Sequence, residues 1–126
     1  MEATRPLQRT KLADDLRARV SGDVRFDRLS RGLYATDASI YQIQPIGVVI
    51  PRDERDIDAV IDVCGAAGVP VLARGGGTSQ CGQTVGEAVV VDTSVYLRDI
   101  LALDIEGRTA TVRPGLVLAN LNRQLR

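Results

Sequence analysis

The feature that most constrains this chain is a strand–helix–strand pattern over residues 47–73 that runs directly into three consecutive glycines. Gly47-Val48-Val49-Ile50 is a short β-branched run stopped by Pro51. Asp53 then offers a helix N-cap, and Ile57, Val60, Ile61 and Cys64 follow at i, i+3, i+4 and i+7 as one apolar stripe, ending near Gly65 and Gly68. Pro70-Val71-Leu72-Ala73 is a second candidate for a buried strand. Such a unit requires parallel strands and a right-handed crossover. Whatever follows Ala73 therefore leaves the sheet at a carboxyl edge, where open α/β folds bind ligands.

The rest of the chain builds around that unit. Ala88-Val89-Val90-Val91-Asp92 reads as another strand, and residues 101–105 and 109–113 alternate around Glu106-Gly107 as a β-hairpin. Leu12, Leu16 and Val20 lie at helical spacing in residues 7–20. Residues 23–45 are polar and aperiodic, a loop with short elements. Val117, Leu118, Leu121 and Leu125 recur at helical spacing after Pro114-Gly115, with no stop signal before Arg126. A half-built amphipathic helix predicts that the chain is the front of a longer protein. Its apolar residues Leu118, Leu121 and Leu125 predict burial in a partner, a homodimer among the options. The fold class is α+β: a small mixed sheet with a βαβ unit and flanking helices. Residues 1–22 form an N-terminal helical segment, and residues 23–126 the body of the domain.

The chemistry lies in the segment Arg74, Gly75, Gly76, Gly77, Thr78, Ser79, Gln80, Cys81, Gly82, Gln83. Adjacent glycines let the backbone approach a ligand and turn successive N–H groups into one concavity. Thr78 and Ser79 add hydroxyls, and Arg74 adds a positive charge. All of these suit phosphate oxygens. Two familiar phosphate loops do not fit. The GxGxxG pattern fails because Gln80 stands at its third glycine. The P-loop pattern fails because Gln83 replaces its lysine, and Val85-Gly86-Glu87 leads into a strand rather than a helix. The bland alternative, a permissive surface turn, is disfavoured by the arginine before the glycines, the hydroxyls after them and the βαβ unit leading in.

Composition excludes several functions. The 126 residues contain no histidine, which removes Ser-His-Asp triads, histidine metal sites and histidine proton shuttles. Two cysteines cannot ligate an iron–sulfur cluster within the chain. Sixteen basic and sixteen acidic residues cancel, and aromatics are 3%, so neither nucleic acid nor an anionic membrane is an expected partner. No run approaches the roughly 20 apolar residues of a membrane span, and the N-terminus is not a signal peptide. A cytoplasmic location is the expectation. Cys64 reads as a buried core residue, and Cys81 as an exposed loop residue without a role. Asp53, Glu54, Asp56, Asp58 and Asp62 read as a solvated acidic helix face. Asp37 reads as a turn cap, with a ligand-orienting role as the alternative. Arg17, Arg19, Arg25, Arg28 and Arg31, balanced by Asp14, Asp15, Asp23 and Asp27, read as surface.

The glycine segment, with Pro70-Val71 before it and Val90-Val91-Asp92 after it, resembles the diphosphate-binding loop of FAD-linked oxidases of the vanillyl-alcohol-oxidase and p-cresol-methylhydroxylase type. Tyr34-Ala35-Thr36-Asp37, Ser39-Ile40-Tyr41, Val48-Val49-Ile50-Pro51 and Pro114-Gly115 fit as well. They resemble the branch of D-lactate, glycolate and D-2-hydroxyglutarate dehydrogenases, and in particular its large members fused to an iron–sulfur module. The resemblance implies the first half of a p-cresol-methylhydroxylase-type FAD-binding domain. Arg74, Gly75, Gly76, Gly77, Thr78, Ser79, Gly82 and Gln83 would wrap the FAD pyrophosphate, with Pro51 toward the adenine and Pro114-Gly115 toward the flavin. It also implies a D-2-hydroxy acid substrate and an external electron acceptor, with the catalytic residues beyond Arg126. Two other functions compete: a stand-alone nucleotide- or phosphosugar-binding module, and an inactive structural fragment.

Overall fold

The computed structural model describes residues 6–125. The N-terminal segment expected as a helix is described from Pro6 onward; residues 1–5 and Arg126 lie outside the described residues. In chain order the elements are α1 (Pro6–Arg19), β1 (Asp23–Arg25), α2 (Arg28–Leu33), β2 (Gly47–Ile50), α3 (Glu54–Ala67), β3 (Val71–Arg74), β4 (Val89–Asp92), β5 (Ile100–Asp104), β6 (Thr109–Val112) and α4 (Leu118–Gln124). No described helix is long and apolar enough to cross a membrane.

The main sheet has four strands in the order β1-β2-β4-β3. β2, β4 and β3 are parallel, and β1 pairs antiparallel with β2. The two strands of the strand–helix–strand unit are thus parallel but not neighbours, because β4 inserts between them. The residue types explain the order. All residues of β2 and β4 are buried, as central parallel strands covered on both faces must be. β3 sits at the edge with Val71 40% exposed, which corrects the expectation of a fully buried strand there.

α3 is capped at both ends. The Asp53 carboxylate accepts the Asp56 amide at 3.1 Å, and Gly68 closes the helix in a left-handed conformation with φ of 65°. Of the expected stripe, Val60 and Cys64, with Ile57 at its rim, pack beside Ala59 and Val63 and with Leu12, Leu16 and Val20 from the α1 side against Val49, Val89 and Val91 on one face of the sheet. Ile61, by contrast, is 55% exposed and lies off the buried face. Val48, Ile50 and Val90 point to the other face, where Tyr34 and Leu72 cover them. Cys64 is buried in the helix-side core, as its place on the stripe requires, and its thiol is pushed up to about 11 by burial.

One residue of the acidic run departs from the expected solvated face. Asp56 is 3% exposed, and its carboxylate accepts the amides of Ser21 at 2.7 Å, Gly22 at 2.9 Å and Arg52 at 2.8 Å. It therefore pins the α1–β1 turn and the end of β2 to the start of α3. Burial disfavours its charge, but the bonds from Arg52, Ser21 and Gly22 outweigh that and hold the carboxyl below the usual range.

The hairpin expected around Glu106-Gly107 is present, with Asp104 opposite Thr109 and a register shift between Ile100 and Ala102. α4 is short, and Val117, Leu118 and Leu125 lie exposed around it.

Candidate functional site

Three parallel strands deliver their carboxyl ends to one edge of the sheet. Pro51 follows β2, Gly75 follows β3 and Thr93 follows β4. The Thr93 amide donates to the Arg74 carbonyl at 3.0 Å, so the β3 and β4 exits are fastened where the glycine loop begins. Gly115 reaches the same edge. Its amide donates to the Leu97 carbonyl at 2.7 Å, and a Cβ placed on it would stand 2.0 Å from the Thr93 carbonyl oxygen.

Within the loop the three glycines differ in role. Gly77 has φ of 66°, and a Cβ there would lie 2.5 Å from Arg74 Nη2, so the fold itself demands glycine at this position. Gly75 and Gly76 face no such demand. A Cβ on Gly75 meets nothing within 4 Å, and one on Gly76 meets only Thr78 Cγ2 at 3.6 Å. The amides of Gly75, Gly76, Gly77 and Thr78 donate to no protein acceptor among the described residues. Unpaired amides beside open space are chemically suited to accept an anion's oxygens.

The second half of the loop is a self-contained turn. The Ser79 hydroxyl bonds to Gln83 Oε1 and accepts the amides of Cys81 at 3.3 Å and Gln83 at 3.1 Å. Ser79 and Gln83 therefore hold each other and shape the turn. Gly82, with φ of 76°, packs under the Tyr41 ring, and Cys81 is exposed.

A second segment braces the loop from outside. The Ala38 amide donates to the Gly77 carbonyl at 3.0 Å. Asp37 accepts the Ser39 amide at 2.8 Å through one carboxylate oxygen and the Thr84 hydroxyl at 2.9 Å through the other. Hydrogen bonding from Ser39, reinforced by Thr84, holds the Asp37 carboxyl down at about 2 despite some desolvation. The turn-capping role expected of Asp37 is present, extended by this tie across to Thr84.

Beneath the loop, Arg74 lies with its guanidinium carbon 5.1 Å from the centre of the Tyr34 ring. The Tyr34 hydroxyl donates to Asp92 Oδ2 at 2.5 Å. Burial and this bond push the Tyr34 phenol up to about 12.

The structure thus brings all the sequence-predicted residues into one loop but sorts them. Gly75, Gly76, Gly77 and Thr78 present the free amides. Ser79, Gly82 and Gln83 form the adjoining turn, and Arg74 lies on the inner side. The brace by Tyr34, Asp37 and Thr84 was not assigned from sequence. The Asp-Ala-Ser run at residues 37–39, an Asx-turn signature, was its only local signal.

The FAD binding domain family matches residues 45–126. The glycolate oxidase subunit GlcD of Bacillus subtilis is 35% identical over 118 residues, covering 90% of this chain and 25% of GlcD. The D-2-hydroxyglutarate dehydrogenase of Pseudomonas putida is 36% identical over 108 residues, covering 83% of this chain and 11% of that enzyme. In fold, p-cresol methylhydroxylase with substrate bound superposes with a TM-score of 0.79 at 16% identity, over 98% of this chain and 25% of that one. The chain thus spans a quarter or less of the relatives it matches. With the family match covering most of its length and the free amides of its glycine loop at the sheet edge, the chain belongs to the FAD-binding domain family.

Proposed function

We infer that this chain supplies the diphosphate-binding wall of a flavoprotein that oxidises a D-2-hydroxy acid of the glycolate, D-lactate or D-2-hydroxyglutarate type, passing electrons to an external acceptor. The observation that carries this reading is the row of unpaired amides at Gly75, Gly76, Gly77 and Thr78, beside space kept open at Gly75 and Gly76. Four successive unpaired N–H dipoles suit a diphosphate, and the Arg74 guanidinium lies beside Gly77. Ser79, Gly82 and Gln83 hold the far end of the loop so that the amides keep their direction. FAD, when bound, supplies the hydride-accepting chemistry. The residues here bind and orient it.

The relatives support the substrate class, since the similar proteins are a glycolate oxidase subunit and D-2-hydroxyglutarate dehydrogenases. Residues 23–126 are read as part of the flavin domain, with residues 1–22 as a separate N-terminal segment whose described helix, α1 (Pro6–Arg19), packs onto it. Exposed Val117, Leu118 and Leu125 support self-association, and the location proposed is the cytoplasm. The test is anaerobic addition of glycolate, D-lactate or D-2-hydroxyglutarate to the purified flavoprotein that carries this chain at its relatives' full length. Bleaching of the visible flavin absorbance by one of them is the expected result. A protein that purifies without flavin and takes up none would favour a phosphosugar-binding module.

A further inference from the structure

Arg74 is the one strong cation in the loop segment, and direct pairing with a diphosphate is the obvious role for it. Its surroundings describe a different one. The guanidinium lies against the Tyr34 ring, 5.1 Å from the ring centre. Nη1 points at two main-chain carbonyls, Thr84 O at 3.3 Å and Tyr34 O at 3.5 Å. Nη2 occupies the concave side of Gly77, where a Cβ would lie 2.5 Å away. The group therefore touches the brace, both stems of the loop and the left-handed glycine at its bend.

We propose that Arg74 is a positioning residue, which sets the direction of the loop amides from the inner side instead of ligating the diphosphate. The proposal rests on the reading of Gly75, Gly76, Gly77 and Thr78 as the FAD cradle. The geometry is particular to arginine. A planar fork stacks on a ring and donates to two carbonyls at once, whereas a lysine ammonium is a strongly hydrated point charge that does not stack flat. The support beneath it is fixed in turn. Arg74 is in register with Asp92 across the β3–β4 pair, and Asp92 holds the hydroxyl of the ring on which Arg74 lies. With Thr84 at the end of the loop and Arg74 at its start, the contact also closes the loop on itself, reducing the conformations that ligand binding must otherwise freeze out.

Arg74→Ala and Arg74→Lys separate the two roles. Amide hydrogen exchange on the ligand-free chain reads the loop directly through the Ala38 N–H, which is bonded to the Gly77 carbonyl, with the amides of β2 and β4 reporting whether the fold is intact. Both variants are expected to lose about tenfold protection at Ala38 while the strands keep theirs. In FAD titrations both are expected to bind about tenfold more weakly than the wild type, the lysine giving no rescue. Unchanged Ala38 exchange in Arg74→Ala, or wild-type FAD affinity in Arg74→Lys, would overturn the proposal in favour of simple charge pairing. A wild-type chain indifferent to FAD would instead remove the cradle reading, and the exchange result alone would then decide whether Arg74 sets the loop.

Discussion

The Tyr34 hydroxyl donates to the Asp92 carboxylate at 2.5 Å across 58 positions of sequence, joining the segment after α2 to the end of β4. Asp92 is 5% exposed, and its other oxygen accepts the Ser94 amide at 2.8 Å. The sheet face carrying Val48, Ile50 and Val90 is thereby closed by a tyrosine anchored through its polar tip.

Tyr34→Phe keeps the ring and leaves Asp92 Oδ2 without its donor. The expected cost is about 1–3 kcal/mol in urea unfolding, the penalty for an orphaned buried acceptor. The phenol, raised to about 12 in the folded chain, favours the native state fully below the ordinary tyrosine value near 10. That contribution disappears as pH rises from there through 12. Alkaline titration followed by tyrosinate absorbance should show a step near pH 12 that Tyr34→Phe abolishes.

Asp56 should matter more to stability than any other member of the acidic run. Removing its carboxylate in Asp56→Ala strands the amides of Ser21, Gly22 and Arg52, at an expected cost on the order of 3 kcal/mol. Because the folded carboxyl is lowered, its contribution is present above the unfolded value near 4 and disappears as pH falls through the folded one. Urea midpoints measured between pH 6 and pH 2 should fall for the wild type and change less for Asp56→Asn. By contrast Asp58→Asn, at an exposed position, should shift stability by less than about 0.5 kcal/mol.

The glycines of the loop should separate by function. Gly77→Ala forces a side chain into a left-handed backbone against Arg74, costing about 1–2 kcal/mol. Gly75→Ala meets open space and should leave the unfolding free energy within about 0.5 kcal/mol of wild type while weakening FAD binding. Thermal unfolding beside FAD titration distinguishes the two.

What could be read from the sequence was mostly local. The caps of α3, its buried Val60 and Cys64, and the hairpin at Glu106-Gly107 follow from spacing within a few residues, though the same spacing wrongly put Ile61 on the buried face. The glycine loop was legible because three adjacent glycines at a strand end have few structural uses. The position of β4 between β2 and β3 was not, since strand order is decided by pairings distant in sequence. Asp56 sits in an acidic run like its neighbours, and only the turn at Ser21 and Gly22, more than thirty positions away, makes it a buried cap. The inward course of Arg74 was hidden for the same reason. Its charge is plain in the sequence, but the ring and carbonyls that draw it beneath the loop belong to Tyr34 and Thr84.

The central claim, that the amides of residues 75–78 hold the FAD diphosphate, is tested most directly by amide chemical-shift titration of the chain with FAD, beside Gly76→Val. A Cβ at residue 76 meets only the Thr78 methyl, at an ordinary 3.6 Å, so the fold should survive a branched side chain there and the ligand should not fit. The account expects selective shifts at Gly75, Gly76, Gly77 and Thr78 in the wild type, and none in a Gly76→Val chain whose remaining spectrum is unchanged. Shifts confined to other parts of the chain, or equal FAD binding by a folded Gly76→Val, would contradict it.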